Sequence, residues 1–424
     1  MERTDIRYQT YVQILKEELV PAMGCTEPIA LAYAAAKARS VLENMPDRIE
    51  VYASGSIIKN VKSVVVPNTN GLKGISAAVA AGTVAGDETK ELEAIAEVSA
   101  EQKADIQKYL ENTPINVHYL KSDHVFHLMV DSYFEEHCVR VEIVDTHRNI
   151  VFIKKDDEVV LKKDVVQVVE EKADRSLLSM EAIFDFAQTV DIEDVREVLE
   201  RQIDYNMAIS KAGLEGDWGA NIGSTLLAAY GDDIRNVAKA NAAAASDARM
   251  NGCELPVIIN SGSGNQGITC SVPVITYARH LGCSHEKTLR ALAFSNLTTI
   301  HQKTMIGTLS AFCGVVSAGA AAGAAITYLI TENYADCVHT IVNSLAIVSG
   351  MICDGAKPSC AAKIAESIDS AILGHYMYQN GQQFYGGDGI VVKGVENTIE
   401  SVGFLGKEGM KDTNEKIIQL MVKN

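Results

Sequence analysis

Apolar positions along the first part of the chain change their period twice. Tyr11, Ile14, Leu15 and Leu19 recur at helical spacing between residues 6 and 20, and Pro21-Ala22-Met23-Gly24 ends that helix. Thr26 then stands as an N-cap with Pro28 in the first turn of an Ala-rich helix running from Ile29 to Ser40. Ile49 to Ala53 predicts a strand, the Ala/Gly-rich Ile75 to Ala85 a close-packed helix, and Glu91 to Tyr109 another. From Ile115 the period drops to two. Ile115–Leu120, Val125–Asp131 and Cys138–Asp145 each predict a strand, and 154–175 an edge hairpin and linker. His118, His124, His127, His137 and His147 fall in this stretch and are expected as solvated side chains.

Beyond residue 175 the pattern is helical almost throughout. Ile192–Lys211 is amphipathic, Leu214–Gly219 is a loop carrying the only tryptophan, and Asn221–Ala248 predicts one long helix. Pro256–Asn260 is a short apolar run leading into Ser261-Gly262-Ser263-Gly264-Asn265-Gln266-Gly267, with a helix expected from Ile268 to Tyr277. Thr304 to Thr331 carries no charge and is long enough to cross a bilayer. Its Ala, Gly, Ser and Thr content favours instead a central helix of a large core. The expectation is an α+β protein: an N-terminal α/β part over 1–175 with a mixed or antiparallel sheet, its first 45 residues helical, and a larger helical domain over 176–424.

Composition narrows the function. The 424 residues are 47% hydrophobic and 22% charged, ordinary for a globular enzyme. A net charge of −17 argues against nucleic acid or an anionic membrane as partner. The charged start, with no apolar leader, and nine cysteines fit a reducing cytoplasm, with cysteines as ligands, nucleophiles or filler. The Ala/Gly-rich helices would suit a homodimer.

Five groups of residues carry chemistry. Cys313, Cys353 and Cys360 can meet if two helices pack side by side. Three thiolates with an open iron then form a site for a small molecule, or three thiols simply fill the core. Cys25, in Gly24-Cys25-Thr26-Glu27-Pro28, precedes a helix, where a thiolate is favoured. The loop of Ser261, Gly262, Ser263, Gly264 and Asn265 offers backbone N–H groups to an anion, but Gln266 stands where a phosphate loop would want lysine. His301 and Lys303 are candidates for a base or for electrostatic support. Lys357 is a candidate carboxylate binder that Asp354 would orient.

The Gly-Cys-Thr-Glu-Pro motif, Asn241–Gly252, the Ser-Gly-Ser-Gly-Asn-Gln-Gly loop and Cys353-Asp354-Gly355-Ala356-Lys357-Pro358-Ser359-Cys360 occur here in one order. In that order they resemble the iron–sulfur L-cysteine desulfidase family over nearly the whole chain. Over about Asn241 to Lys363 the chain is more distantly similar to bacterial iron–sulfur L-serine dehydratases, which space their last two cysteines further apart. Cys360 and Cys25 therefore both stand as third-ligand candidates beside Cys313 and Cys353. The resemblance implies a [4Fe–4S] cluster with an open iron, no pyridoxal phosphate, and β-elimination from a small L-amino acid. The expected products from L-cysteine are pyruvate, ammonia and hydrogen sulfide. L-Serine with the same machinery, and a sensor that binds an amino acid without turnover, are the alternatives.

Overall fold

The computed structural model describes residues 1–24, 26–163, 172–307 and 310–423. The chain opens with α1 (Ile6–Glu18), capped by Asp5, whose carboxylate accepts the Arg7 N–H at 2.9 Å. The short β1 (Pro21–Met23) and α2 (Thr26–Leu42) follow. Thr26 lies inside the first turn of α2 rather than capping it, and its hydroxyl bonds His147 Nε2 at 3.1 Å. Next come β2 (Arg48–Ser54), α3 (Gly55–Val61), α4 (Gly74–Ala85) and α5 (Ala100–Asn112). The helix expected from Glu91 begins only at Ala100. There Ser99 and Gln102 form a reciprocal capping box, a stronger start signal than the apolar period before it.

The strands β3 (Ile115–Leu120), β4 (His127–Phe134), β5 (His137–Val144), β6 (Ile150–Lys155) and β7 (Glu158–Lys162) complete a sheet of order β3-β2-β4-β5-β6-β7. It is mixed: β2 runs parallel to β3 and antiparallel to β4. Alternate residues such as Val51, Leu128, Val130, Val139 and Val141 are fully buried against α2 and α4. The predicted hairpin is β6–β7, and its linker falls partly outside the described residues.

The second body is helical: α6 (Met180–Thr189), α7 (Arg196–Glu215), α8 (Ile222–Tyr230) and α9 (Ile234–Met250), then the short β8 (Pro256–Ile258). The single helix expected over Asn221–Ala248 is broken at Gly231, whose φ of +77° ends α8 before Asp233 caps α9. After β8 run α10 (Gly264–His280), α11 (His285–Ile306), α12 (Gly314–Thr331), α13 (Tyr334–Val348), α14 (Ser359–Gln379), α15 (Val395–Phe404) and α16 (Lys411–Lys423).

The uncharged run Thr304–Thr331 is thus not one helix. Gly307, at φ +84°, ends α11, and α12 starts afresh at Gly314 with Cys313 as its cap. Within α12, 83% of its apolar window is buried inside the protein. Its small residues set helix spacing: a Cβ on Gly319 would lie 2.0 Å from Ser367 Oγ of α14.

The two bodies interlock. Tyr8, Tyr11, Ile14 and Leu15 of α1, with Leu19 just after it, pack into the helical core beside Phe186. The strand β1 pairs antiparallel with β8. At the other end, α16 packs back on α3, where Lys59 Nζ donates to Asn414 Oδ1 at 2.8 Å.

Candidate active site

Two of the three predicted cysteine ligands are placed by a single bridge. Phe312 pairs antiparallel with Ile352. Cys353 N–H donates to Ala311 C=O at 2.6 Å and Cys313 N–H to Met351 C=O at 3.0 Å. Side chains alternate along such a pair, so Cys313 and Cys353, each one step from the bridge, share a face. Cys360 joins them from the first turn of α14, its thiol directed at Gly355 C=O at 3.5 Å. Cys313 and Cys360 therefore both sit at helix N-termini, where the dipole favours thiolate. Without a counter-ion, burial pushes both thiols above their usual range. The charges of Cys353 and Cys360 act on Cys313 in the same sense.

Lysines surround these thiols. Lys303 is half-buried. Burial holds its ammonium below the ordinary lysine range, against the pull of Cys353 and Cys313. Its Nζ donates to Gly307 C=O at 2.6 Å. Lys59, 3% exposed, acts on Lys303 as a second positive charge, and its described bond is to the neutral Asn414. Lys357 and Lys363 both pair with Asp354. Burial raises the Asp354 carboxyl, but those two lysines outweigh it and hold it low. Lys357 is thus engaged inside its own loop, also donating to Gly355 C=O at 3.2 Å, and faces Cys360 rather than the glycine loop.

His301 and Lys303 part company. Two residues along a helix is a rotation of roughly 200°. His301 Nε2 meets Glu396 of α15 at 2.7 Å, with its ring 2% exposed. Burial raises the Glu396 carboxyl, but the His301 ring and the Met180 N–H more than offset it. His301 thereby ties α11 to α15, away from the thiols.

The glycine loop divides in two. Asn260 and Ser263 exchange backbone bonds of 3.1 and 3.0 Å across Ser261 (φ +50°) and Gly262 (φ +75°), a tight turn in left-handed conformation. Ser261 and Gly262 line a cavity of about 590 Å³ together with Lys303, Thr304, Gly307 and Arg175. Ser263 caps α10, and Gly264 and Asn265 belong to its first turn. Asn265 Oδ1 accepts from Ser246 Oγ at 3.3 Å and from Arg249 Nη1 at 3.2 Å. Lys303 therefore links two groups: it lines the cavity with Ser261 and Gly262, and it feels the charges of Cys313 and Cys353. Cys25 lies outside the described residues. Its neighbour Gly24 presents its C=O to Arg249 Nη2 at 2.8 Å.

Sequence reasoning passed over Lys59, Arg249, Lys363, Gln266 and Asp247. Arg249 and Asp247 had a visible signal, two charges in an Ala-rich helix; Lys59 had none. Asp247 is fully buried on α9 and accepts the Gly223 N–H at 3.1 Å. Burial raises its carboxyl to about 6.

The donor set fits an iron–sulfur cluster. Thiolates are its usual ligands. Buried Lys59 and half-buried Lys303 make no ion pair among the described residues, a costly state that an anionic cluster would relieve. Among the described residues no three His, Cys, Asp or Glu side chains gather as around one metal ion. A cluster would be held instead by Cys313, Cys353 and Cys360 as separate thiolate ligands.

The chain is similar to known proteins over most of its length. The model of the serine dehydratase alpha chain matches residues 89–419, wider than the Asn241–Lys363 stretch that carries the resemblance in the sequence. A UPF0597 protein of Desulfitobacterium hafniense (strain Y51) is 57% identical over 423 residues, covering 100% of this chain and 98% of the relative. One from Lachnoclostridium phytofermentans is 51% identical over 98% of this chain and 100% of the relative. One from Fusobacterium nucleatum is 43% identical over 99% of this chain and 100% of the relative. With a family model matching residues 89–419 and relatives covered over nearly their whole length, the chain belongs to the serine dehydratase alpha chain family, an iron–sulfur type of lyase, and within it to the UPF0597 proteins.

Proposed function

We propose that this enzyme eliminates the β-substituent of a small L-α-amino acid, with L-cysteine as substrate and hydrogen sulfide, pyruvate and ammonia as products. The observation that carries the reading is the triad Cys313, Cys353 and Cys360 beside Lys59 and Lys303, which make no ion pair among the described residues. When bound, the [4Fe–4S] cluster supplies a Lewis-acidic iron with an open position for the β-substituent. Cys313, Cys353 and Cys360 hold it. Lys59 and Lys303 balance its negative charge and that of the enolate-like state formed on loss of the α-proton. The Ser261–Gly264 backbone faces the substrate carboxylate. Cys25 takes the α-proton, and sulfide leaves from the β-carbon. The aminoacrylate so formed adds water and loses ammonia to give pyruvate.

L-Serine is the second reading, favoured by the family match. Anaerobic protein reconstituted with iron and sulfide separates them: L-cysteine should yield sulfide and pyruvate in equal amounts, and at higher kcat/KM than L-serine yields pyruvate. Pyruvate from L-serine alone would overturn the cysteine assignment. Neither product from either amino acid would leave the amino-acid sensor.

A further inference from the structure

The first turn of α10 carries an unsatisfied charge that the elimination chemistry does not explain. The helix is 17 residues long, so its N-terminus has a developed dipole and first N–H groups without acceptors one turn back. A guanidinium lies against that same turn. A Cβ on Gly264 would stand 2.3 Å from Arg249 Nε and 2.6 Å from its Cζ, so only glycine admits it. Two positive features face each other. The described partners of Arg249 are all uncharged: Gly24 C=O at 2.8 Å, Asn265 Oδ1 at 3.2 Å and Met250 Sδ at 3.9 Å. Its buried Nε–H has no partner. Such a pairing is unfavourable until an anion sits between the two.

One residue further along, Gln266 is 5% exposed, and its Oε1 is buried with no hydrogen-bond partner. A buried acceptor left open costs about 1–3 kcal/mol. Its amide rests on Gly314, where an added Cβ would stand 2.6 Å from both Cδ and Oε1. Gly314 directly follows Cys313. The turn therefore presents an anion site at Arg249 and a hydrogen-bond acceptor at Gln266, the acceptor on the thiol side.

The geometry points to a clamp for the zwitterionic backbone of an L-α-amino acid. Arg249 and the first N–H groups of α10 take the carboxylate, and Gln266 Oε1 accepts from the α-ammonium. A phosphate or a plain carboxylate satisfies only the first half. An α-amino acid satisfies both and is left with its β-carbon towards Gly314 and Cys313. Asn265 is a positioning residue that holds the guanidinium. The assignment takes its ligand class from the elimination reading and adds the residues that select it.

The test is calorimetric titration of anaerobic, cluster-loaded protein with L-alanine, which has no leaving group, and with L-alaninamide and L-lactate. Wild type should bind L-alanine at least tenfold more tightly than either. Arg249→Gln should lose the preference over alaninamide and keep that over lactate; Gln266→Met should do the reverse. Arg249→Lys should recover part of the first preference. Iron content equal to wild type in each variant shows that the site is otherwise intact. Either variant keeping both preferences, both preferences falling together in each variant, or no preference in wild type would overturn the clamp. Wild type that shows these preferences but releases neither sulfide nor pyruvate would confirm the clamp and sink the elimination reading. Turnover of L-cysteine with unchanged preferences in Arg249→Gln would do the opposite.

Discussion

The sheet and the thiol site handle charge in opposite ways. On the sheet, Arg140 grips Asp131 with two bonds of 2.7 and 2.6 Å. His118, His124, His127 and His137 each meet a carboxylate: Glu50, Asp145, Glu142 and Asp156. These histidines, expected as solvated, are all engaged. Around α10, α11 and the cysteine loop the accounts stay open. Among the described residues Lys59, Lys303 and Arg249 find no acid, and Gln266 Oε1 and Asp247 Oδ1 find no hydrogen-bond partner. Native proteins satisfy nearly all buried polar groups. A surface that completes its own pairs has nothing left to offer a ligand. A cluster of open groups in one place marks where something else supplies the partners.

The contrast is broken most severely by removing a thiol. Cys353→Ser should take iron from about four per chain to near zero and lower turnover by about a thousandfold or more, read by anaerobic iron and sulfide analysis beside a pyruvate assay. Full iron retention would return these cysteines to the core. The close approach of α10 to β8 comes next. A Cβ on Gly267 would lie 2.0 Å from Ile258 C=O. Gly267→Ala should cost about 3 kcal/mol, measured as a fall in the denaturation midpoint.

Lys303→Met sharpens the comparison, because its sign depends on what is bound. In metal-free protein it should raise stability by about 1 kcal/mol, since a half-buried cation without an acid among the described residues is replaced by apolar packing. In loaded protein it should lose that gain and slow turnover. Equal effects in both states would show that Lys303 serves the fold alone. Asp247 tests the open side through pH. Its folded value of about 6 lies above the ordinary 3.8. The stability it contributes is thus present below pH 4 and lost as pH rises through 6. Asp247→Asn should match wild type near pH 4 and exceed it by about 1–2 kcal/mol at pH 8, after allowing for solvent relaxation around the charge. The smallest effect belongs to the sheet: His137→Ala, at an exposed pair, should change stability by about 0.5 kcal/mol or less at any pH.

Period and capping residues made much of the fold legible. The alternation from Ile115 marked β3, β4 and β5, and the small residues of α4 and α12 marked close-packed helices. Breaks inside uniform composition were hidden. Gly231 and Gly307 each end a helix by adopting positive φ, which a run of Ala, Gly and Thr does not announce. The glycine loop looked like seven loop residues, yet its second half is helix, because Gly264, Asn265 and Gln266 are tolerated in a first turn once Ser263 caps it. The cysteines were found through motif order, not through their spacing. Arg249, Gln266 and Lys59 were out of reach for a different reason. What distinguishes them is the lack of a partner, and that exists only after the chain has packed.

The crossed ends of the chain set an order of events during folding. Helix α1 stands more than a hundred residues before the core it joins, with Phe186 and its neighbours. Helix α16 brings Asn414 to Lys59 and Ile418 to Gly55. Both dockings close long loops, a burden of long-range contacts that slows folding. Helix α3, whose Lys59 C=O backs the cysteine loop at Gly355, is then covered only when α16 docks.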